Sequence, residues 1–414
     1  MSEDLKARKS IIFILMILNN GLAMFPFLGC AVVLVDIMAE VGIPASASAF
    51  VISIITIVSG LFMFFGGSLS SALGYVRGFN ISILLEVVGT IITAFAPNFV
   101  IFMLGRIVFA VGYGLNTSIT SALGTIWFPG AQFATFNTVK LISASIGGAL
   151  AYMVMAPIMG IVGTWRNTYL VFTAILAIYC ILCFVFIIYP PGVEEGLKQR
   201  KEAIKAGQIP KPEFALARVL KRKNFILLTI ATLFPMAASS LFQTYLPTYL
   251  TLEAGMTAES AASISGVGMF AGMAGSLIGG ALVAKTGRRK IYVLIACILS
   301  LASGVGVIFF GSAGIVLVMY ALVNVAFYLK MPAMSQYYRE EIVPFDPSTV
   351  APAVAVVNGI PQLLNIVASF IASSMIITSG YGHTLMIFQV LCIISIVASL
   401  ILTECGPRAK KAEA

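Results

Sequence analysis

The sequence predicts an all-α membrane protein, with twelve transmembrane helices in two pseudo-symmetric bundles of six. Three observations predict it. Of 414 residues, 60% are hydrophobic and only 10% charged, with a mean hydropathy of +1.03, whereas a soluble domain is roughly 25% charged. Between Ile11 and Thr403 the apolar residues form twelve stretches. Each is near the ~20 residues that a helix rising ~1.5 Å per residue needs to cross ~30 Å of hydrocarbon. A soluble domain has no use for twelve of these, since its helices need a polar face. Third, the two halves of the chain share matching loops.

The spans are expected at 11–36, 46–72, 79–96, 99–124, 134–162, 168–189, 224–250, 260–284, 290–311, 314–338, 350–379 and 384–403. The first follows a polar tail, Met1 to Lys9, and is interrupted by Gly21 and Pro26. Turn signals separate others: Gly42-Ile43-Pro44 before the second, Ala96-Pro97-Asn98 before the fourth, Phe128-Pro129-Gly130 before the fifth, Asp346-Pro347 before the eleventh. The one long polar insert, Pro190 to Lys223, separates two sets of six. The expected division is a bundle over 1–189, a cytoplasmic central loop over 190–223 and a second bundle over 224–414.

Lysine and arginine set the expected orientation. With both termini in the cytoplasm, the inner side receives Lys6, Arg8, Lys9, Arg77, the cations of the central loop, Lys285, Arg288, Arg289, Lys290, Arg339, Arg408, Lys410 and Lys411. The outer side receives Arg166 alone. This predicts a multi-pass protein of the cell membrane. It also accounts for the net charge of +9 as a topology signal and contact with the lipid surface, with no nucleic-acid partner. The six cysteines lie in or at the ends of apolar stretches, and His383 is the only histidine. No metal site, cofactor or catalytic constellation is expected, so an enzyme is the least favoured class.

The halves match at their loops. Gly67-Ser68-Leu69 and Gly74-Tyr75-Val76-Arg77 follow the second span; Gly280-Ala281-Leu282 and Gly287-Arg288-Arg289-Lys290 follow the eighth. Leu69 to Leu282 and Gly74 to Gly287 share one offset, 213 residues. Such repeats place a substrate site near mid-membrane, between them.

On these residues the chain resembles the major facilitator superfamily over nearly its whole length. The run Gly280-x-Leu282-x-x-Lys285-x-Gly287-Arg288-Arg289-Lys290 is similar to that family's cytoplasmic loop signature, with Ala284 at the usual aspartate. The loop after the second span departs further, with Ser71 at the aspartate and Ala72 at the first basic position. Arg106, Gly112 and Gly114 resemble the fourth-helix motif, Trp165-Arg166 a common pair after helix 5, and Pro157 and Gly160 the antiporter motif. The resemblance implies a secondary transporter whose helices 1, 4, 7 and 10 line a central cavity between two rocking bundles. It implies gating roles for Gly67, Gly74, Arg77, Gly280, Gly287, Arg288 and Arg289, no cofactor, and a monomer.

Charges within the spans need a purpose, because each costs at least ~2.5–3.5 kcal/mol at the bilayer centre. Lys330 lies nine residues before Arg339, ~13 Å of helix, too deep for easy snorkelling. Pairing Met103 with Met319 sets it opposite Gly114. It is the expected counter-charge of a substrate anion. Lys140 either snorkels inward or contacts substrate. For Arg106 the resemblance implies a role in cavity structure or proton coupling. Glu86 is the one deep acid, expected to be satisfied or protonated rather than a proton carrier. Asn20, Tyr113, Asn116, Gln243, Asn324, Tyr328 and Gln362 are further candidate contacts. Asn358, Gln362, Asn365 and Ser369 share one face of the eleventh span, which either lines the cavity or joins helices.

Three deep cations against one deep acid predict a cavity that attracts anions. The expected substrate is a small organic anion, carried with protons or against a counter-substrate. Carboxylate-carrying branches of the family, oxalate–formate exchangers among them, show a loosely similar use of buried cations. An exporter of amphipathic drugs and a non-transporting membrane sensor are the alternatives.

Overall fold

The computed structural model describes the backbone at 3–44, 47–128, 131–208, 223–342 and 347–404; side chains at 3–6, 48–49, 64–73, 131, 134, 200–201, 204–205, 335–336, 338–342 and 347–364 lie outside the described set. Expectations for Gly67, Ser71, Ala72, Asn358 and Gln362 fall there.

The first crossing is a broken helix: α1 (Glu3–Leu22), α2 (Met24–Leu28), a 3₁₀ turn (Gly29–Ala31) and α3 (Leu34–Val41). Pro26 has no N–H to donate to the preceding turn, so the expected interruption falls where the sequence places it, and the helical path runs past the expected end at 36. α4 (Ser48–Leu73), α5 (Tyr75–Ala94), α6 (Phe99–Trp127), α7 (Ala131–Val162) and α8 (Trp165–Phe186) complete the first six crossings. In the polar insert, α9 (Val193–Lys205) is helical, with Lys198 and Glu194 paired one turn apart at 3.0 Å. α10 (Lys223–Leu252), α11 (Ala258–Thr286), α12 (Lys290–Phe309), α13 (Ala313–Ile342) and α14 (Pro347–Ile401) follow.

Ten helical regions among the described residues are long and apolar enough to cross a membrane. The last of them, Asn365–Ile401, contains two crossings. Its backbone leaves helical geometry at Gly380, φ +81°, a conformation open to glycine and strained for other residues. The Glu253 carboxylate closes that break, accepting the N–H of Tyr381 at 2.6 Å and of Gly382 at 2.8 Å. With the shorter apolar segment Phe50–Met63 inside α4, the count reaches twelve.

The surface inverts a soluble pattern. Ile178, Ile181 and Val185 are 61%, 65% and 64% exposed, while Asn19, Glu86, Arg106, Asn116 and Lys330 are buried. Lipid accepts the first group, and the second must find partners inside.

The halves echo each other at the face that carries the termini. Tyr189, just after α8, accepts the N–H groups of Tyr75 (2.6 Å) and Val76 (3.3 Å) at the start of α5. Glu404, just after α14, accepts those of Arg289 (3.0 Å) and Lys290 (3.1 Å) at the start of α12. These oxygens accept N–H groups at helix N-termini that have no acceptor within their own helix. Gly74 (φ +90°) and Gly287 (φ +63°) make the turns. α5 therefore starts at Tyr75, four residues before the expected 79.

α5 packs on α6 and α8, α4 on α6, and α1 on α7; α11 packs on α13, α12 on α13, and α10 and α12 on α14. Contacts of α4 with α14 and of α7 with α11 join the two sets. The glycine spacing in α11 works as close packing: a methyl group on Gly275 would lie 2.5 Å from the Val325 carbonyl, and one on Gly272 2.5 Å from the Tyr328 ring.

Candidate substrate site

The expected cations occupy three different environments. Arg106, on α6, donates from Nη1 to the Pro26 carbonyl (2.6 Å) and from Nη2 to that of Val51 (3.5 Å). It therefore fastens the broken first crossing to α4. Lys140, on α7, is half-buried and donates to Ser121 Oγ of α6 at 2.8 Å. Lys330, on α13, is 1% exposed. Its Nζ stands 5.3 Å from the centroid of the Phe327 ring and has no hydrogen-bond partner. Its electrostatic neighbours are the thiols of Cys297 on α12 and Cys392 on α14, so no acid faces it among the described residues. A cation–π contact offsets only part of the cost of that burial, ~2 kcal/mol or so when desolvated.

Asn116 does not stand beside these groups. It belongs to a network inside the first half, where Asn19 Nδ2 donates to Asn116 Oδ1 (2.8 Å) and to Glu86 Oε1 (3.3 Å). Asn116 Nδ2 donates to Ser82 Oγ (2.9 Å), and Thr120 Oγ1 to Asn116 Oδ1 (2.9 Å). Asn20 turns to its own helix, donating to the Met16 carbonyl at 3.4 Å. On α14, Asn365 donates to Ser240 Oγ of α10 at 3.4 Å, which makes that part of the polar stripe a joint between helices.

Tyr113, Tyr328, Gln243 and Asn324 do meet where the halves face each other. Tyr113 stacks on Phe109 (6.2 Å between centroids) and leans on Phe27 (5.5 Å). It lies within electrostatic reach of Tyr328 on α13, which in turn reaches Ser145 on α7. Gln243 Nε2, on α10, donates to Asn324 Oδ1 at 3.5 Å, and Asn324 Nδ2 to the Tyr320 carbonyl at 3.1 Å.

Sequence reasoning missed the bonds that cross between the halves. Ser145 Oγ donates to the Met269 carbonyl (2.5 Å). The Tyr152 hydroxyl donates to the Gln243 carbonyl. Ser53 Oγ bonds across the halves to Ser373 Oγ at 3.0 Å, and Tyr245 Oη braces the same Ser373 from within the second half at 3.1 Å. Ser53 lies near the start of α4 and Ser373 near the Gly380 break, so the Ser53–Ser373 bond closes the end of the bundle away from the termini. One signal was present: Pro247, four residues after Gln243, cannot donate to the Gln243 carbonyl. That leaves an acceptor free for another helix. The expected gating residues sit at the opposite face, where Arg77 and Arg288 are exposed, Arg289 is 5% exposed and Gly280 has open space beside it.

A sequence profile for the Major Facilitator Superfamily matches residues 11–360. A hexuronate transporter of Bacillus subtilis is 26% identical over 282 residues, 65% of this chain and 65% of that protein. The match thus spans just under two thirds of that relative's length. A probable sulfoacetate transporter of Cupriavidus necator is 24% identical over 293 residues, 70% of this chain and 68% of the relative. Among solved structures, a D-xylose–proton symporter superposes with a TM-score of 0.72 at 14% identity, covering 97% of this chain and 98% of its own.

Proposed function

We propose, from the premise that this chain belongs to the Major Facilitator Superfamily and is a membrane transporter, that it carries a small organic anion bearing a carboxylate. The observation that carries this reading is Lys330. Its ammonium is buried, with neither a hydrogen-bond partner nor a facing acid among the described residues. A buried charge without a partner is costly, and an anionic solute would supply the missing charge. Lys140, which donates to the Ser121 hydroxyl, adds a second positive charge. The two bacterial relatives are named as transporters of hexuronate and sulfoacetate, organic anions too.

Lys330 stands inside the second half, against Cys297 and Cys392; Tyr113, Tyr328, Gln243 and Asn324 are the neutral contacts that a solute meets where the halves face each other, before it reaches that charge. Arg106, Asn116 and Asn20 are assigned to the scaffold, because both terminal guanidinium nitrogens of Arg106 and the amides of Asn116 and Asn20 already donate to neighbouring groups. The closed end is the extracellular one, both termini are cytoplasmic, and the site exchanges sides as the two sets of six crossings rock. Purified protein tests the substrate class. D-glucuronate and sulfoacetate should raise its thermal midpoint in wild type and not in Lys330→Ala. Stabilisation by cationic amphiphiles alone, equal in both proteins, would replace the anion reading with that of a drug exporter.

A further inference from the structure

Glu86 is the one buried acidic side chain among the described residues, and nothing in the anion reading uses it. It lies midway along α5 and is 0% exposed. Its surroundings contain no cation. α1 contributes the Asn19 amide; α6 contributes Tyr113, and α8 contributes Tyr179, Cys180 and Cys183. α4 carries no charged residue between Ser48 and Leu73. The carboxyl receives one long N–H bond, 3.3 Å from Asn19 Nδ2 to Oε1. Oε2 has no partner, and neither has Asn19 Oδ1, also buried. A carboxylate so placed lacks both a counter-charge and donors, a combination that costs several kcal/mol. One hydrogen on Oε2 removes the charge and supplies a donor.

We propose that Glu86 is the proton-binding site of this transporter, and that its occupancy is coupled to the first crossing through Asn19. The placement supports the coupling. Asn19 lies one turn before the break between Leu22 and Met24, and its carbonyl accepts the N–H of Ala23 at that break. The same Asn19 amide holds Asn116 on α6. Tyr113, also on α6, lies within electrostatic reach of both Glu86 and Tyr328. Loading or losing the proton changes what Asn19 can donate to, and so changes how the broken helix sits against α5 and α6. The proton enters from the aqueous phase on one side and leaves to the other. No other bond is made or broken. The identity of the co-transported solute rests on the anion reading, whereas the proton site itself does not.

The test has two arms that separate these. Infrared spectra of the purified wild-type protein at neutral pH, in H₂O and D₂O, should show a protonated-carboxyl band, and Glu86→Gln should lack it. Absence of the band in wild type, or its persistence in the variant, overturns the proposal, whatever the substrate. In proteoliposomes, an inward proton gradient should concentrate D-glucuronate in wild type by about tenfold per pH unit for one proton per anion. It should not do so in Glu86→Gln. The exposed Glu259→Gln should match wild type. Retained proton-driven accumulation in Glu86→Gln, or accumulation that follows a sodium gradient instead, also overturns it. If glucuronate does not move at all while the band behaves as expected, the substrate reading fails and the proton site stands.

Discussion

Arg106 and Lys330 are both 1% exposed, yet their partners set them different tasks. Arg106 spends two guanidinium nitrogens on the carbonyls of Pro26 and Val51. A lysine cannot span both, since its ammonium is a point charge rather than a fork. Arg106→Lys should therefore lower the thermal midpoint, with a cost of about 1–3 kcal/mol for the carbonyl left buried, and should leave affinity for D-glucuronate near wild type. A matched loss of affinity would return Arg106 to the substrate site. At the face away from the termini, Glu40 bonds Arg166 Nε at 2.6 Å and Trp165 Nε1 at 2.5 Å. The Arg166 guanidinium, with Trp165 assisting, holds the Glu40 carboxyl below the usual carboxylate range against the opposing effect of partial burial. A lowered folded-state value gives stability that is complete above the ordinary ~4.3 and lost as pH falls through the folded value. Thermal melts should show wild type above Glu40→Gln at pH 7, the gap closing below about pH 4 and not widening between pH 7 and 8.

Helix breaks are where this fold gains its cross-connections. The first crossing is cut near Pro26, and the freed backbone there is held by Arg106. In α10, Pro247 releases the Gln243 carbonyl, and Tyr152 of α7 takes it. Pro247→Ala would restore an N–H that competes with Tyr152, and Tyr152→Phe removes the donor. Both should loosen the closed end. Spin labels at the exposed positions Val35 and Ile377, in a background without native cysteines, should report a longer distance component in both variants. Unchanged distances in both would mean that this bond does not hold the end shut. Element boundaries were partly legible. The gap expected between 379 and 384 contains the Gly380 break, and the interruption of the first span follows from Gly21 and Pro26. The helix in the polar insert was not, because α9 has no apolar run to announce it.

At the scale of the molecule, the crossings were legible because lipid demands apolar runs regardless of what packs on what. The positions of the charges were legible for the same reason. Their partners were not, because a helical face is decided by its neighbours. Tyr113 and Asn116 are three residues apart on α6, yet one meets the opposite half and the other turns to Asn19, Ser82 and Thr120. Likewise Lys330 was legible as a deep cation, while Cys297, Cys392 and Phe327 around it required the packing of α12 and α14 on α13. Among the described residues, the consequence is a buried ammonium with no hydrogen-bond partner in one half, Lys330, and a buried carboxyl with one unpaired oxygen in the other, Glu86. The most direct test of that account is uptake of labelled D-glucuronate into proteoliposomes holding equal amounts of folded wild type and Lys330→Gln. At least a tenfold loss of initial rate is expected in the variant, since the ammonium meets the anion in a site of low dielectric. Equal rates would contradict it.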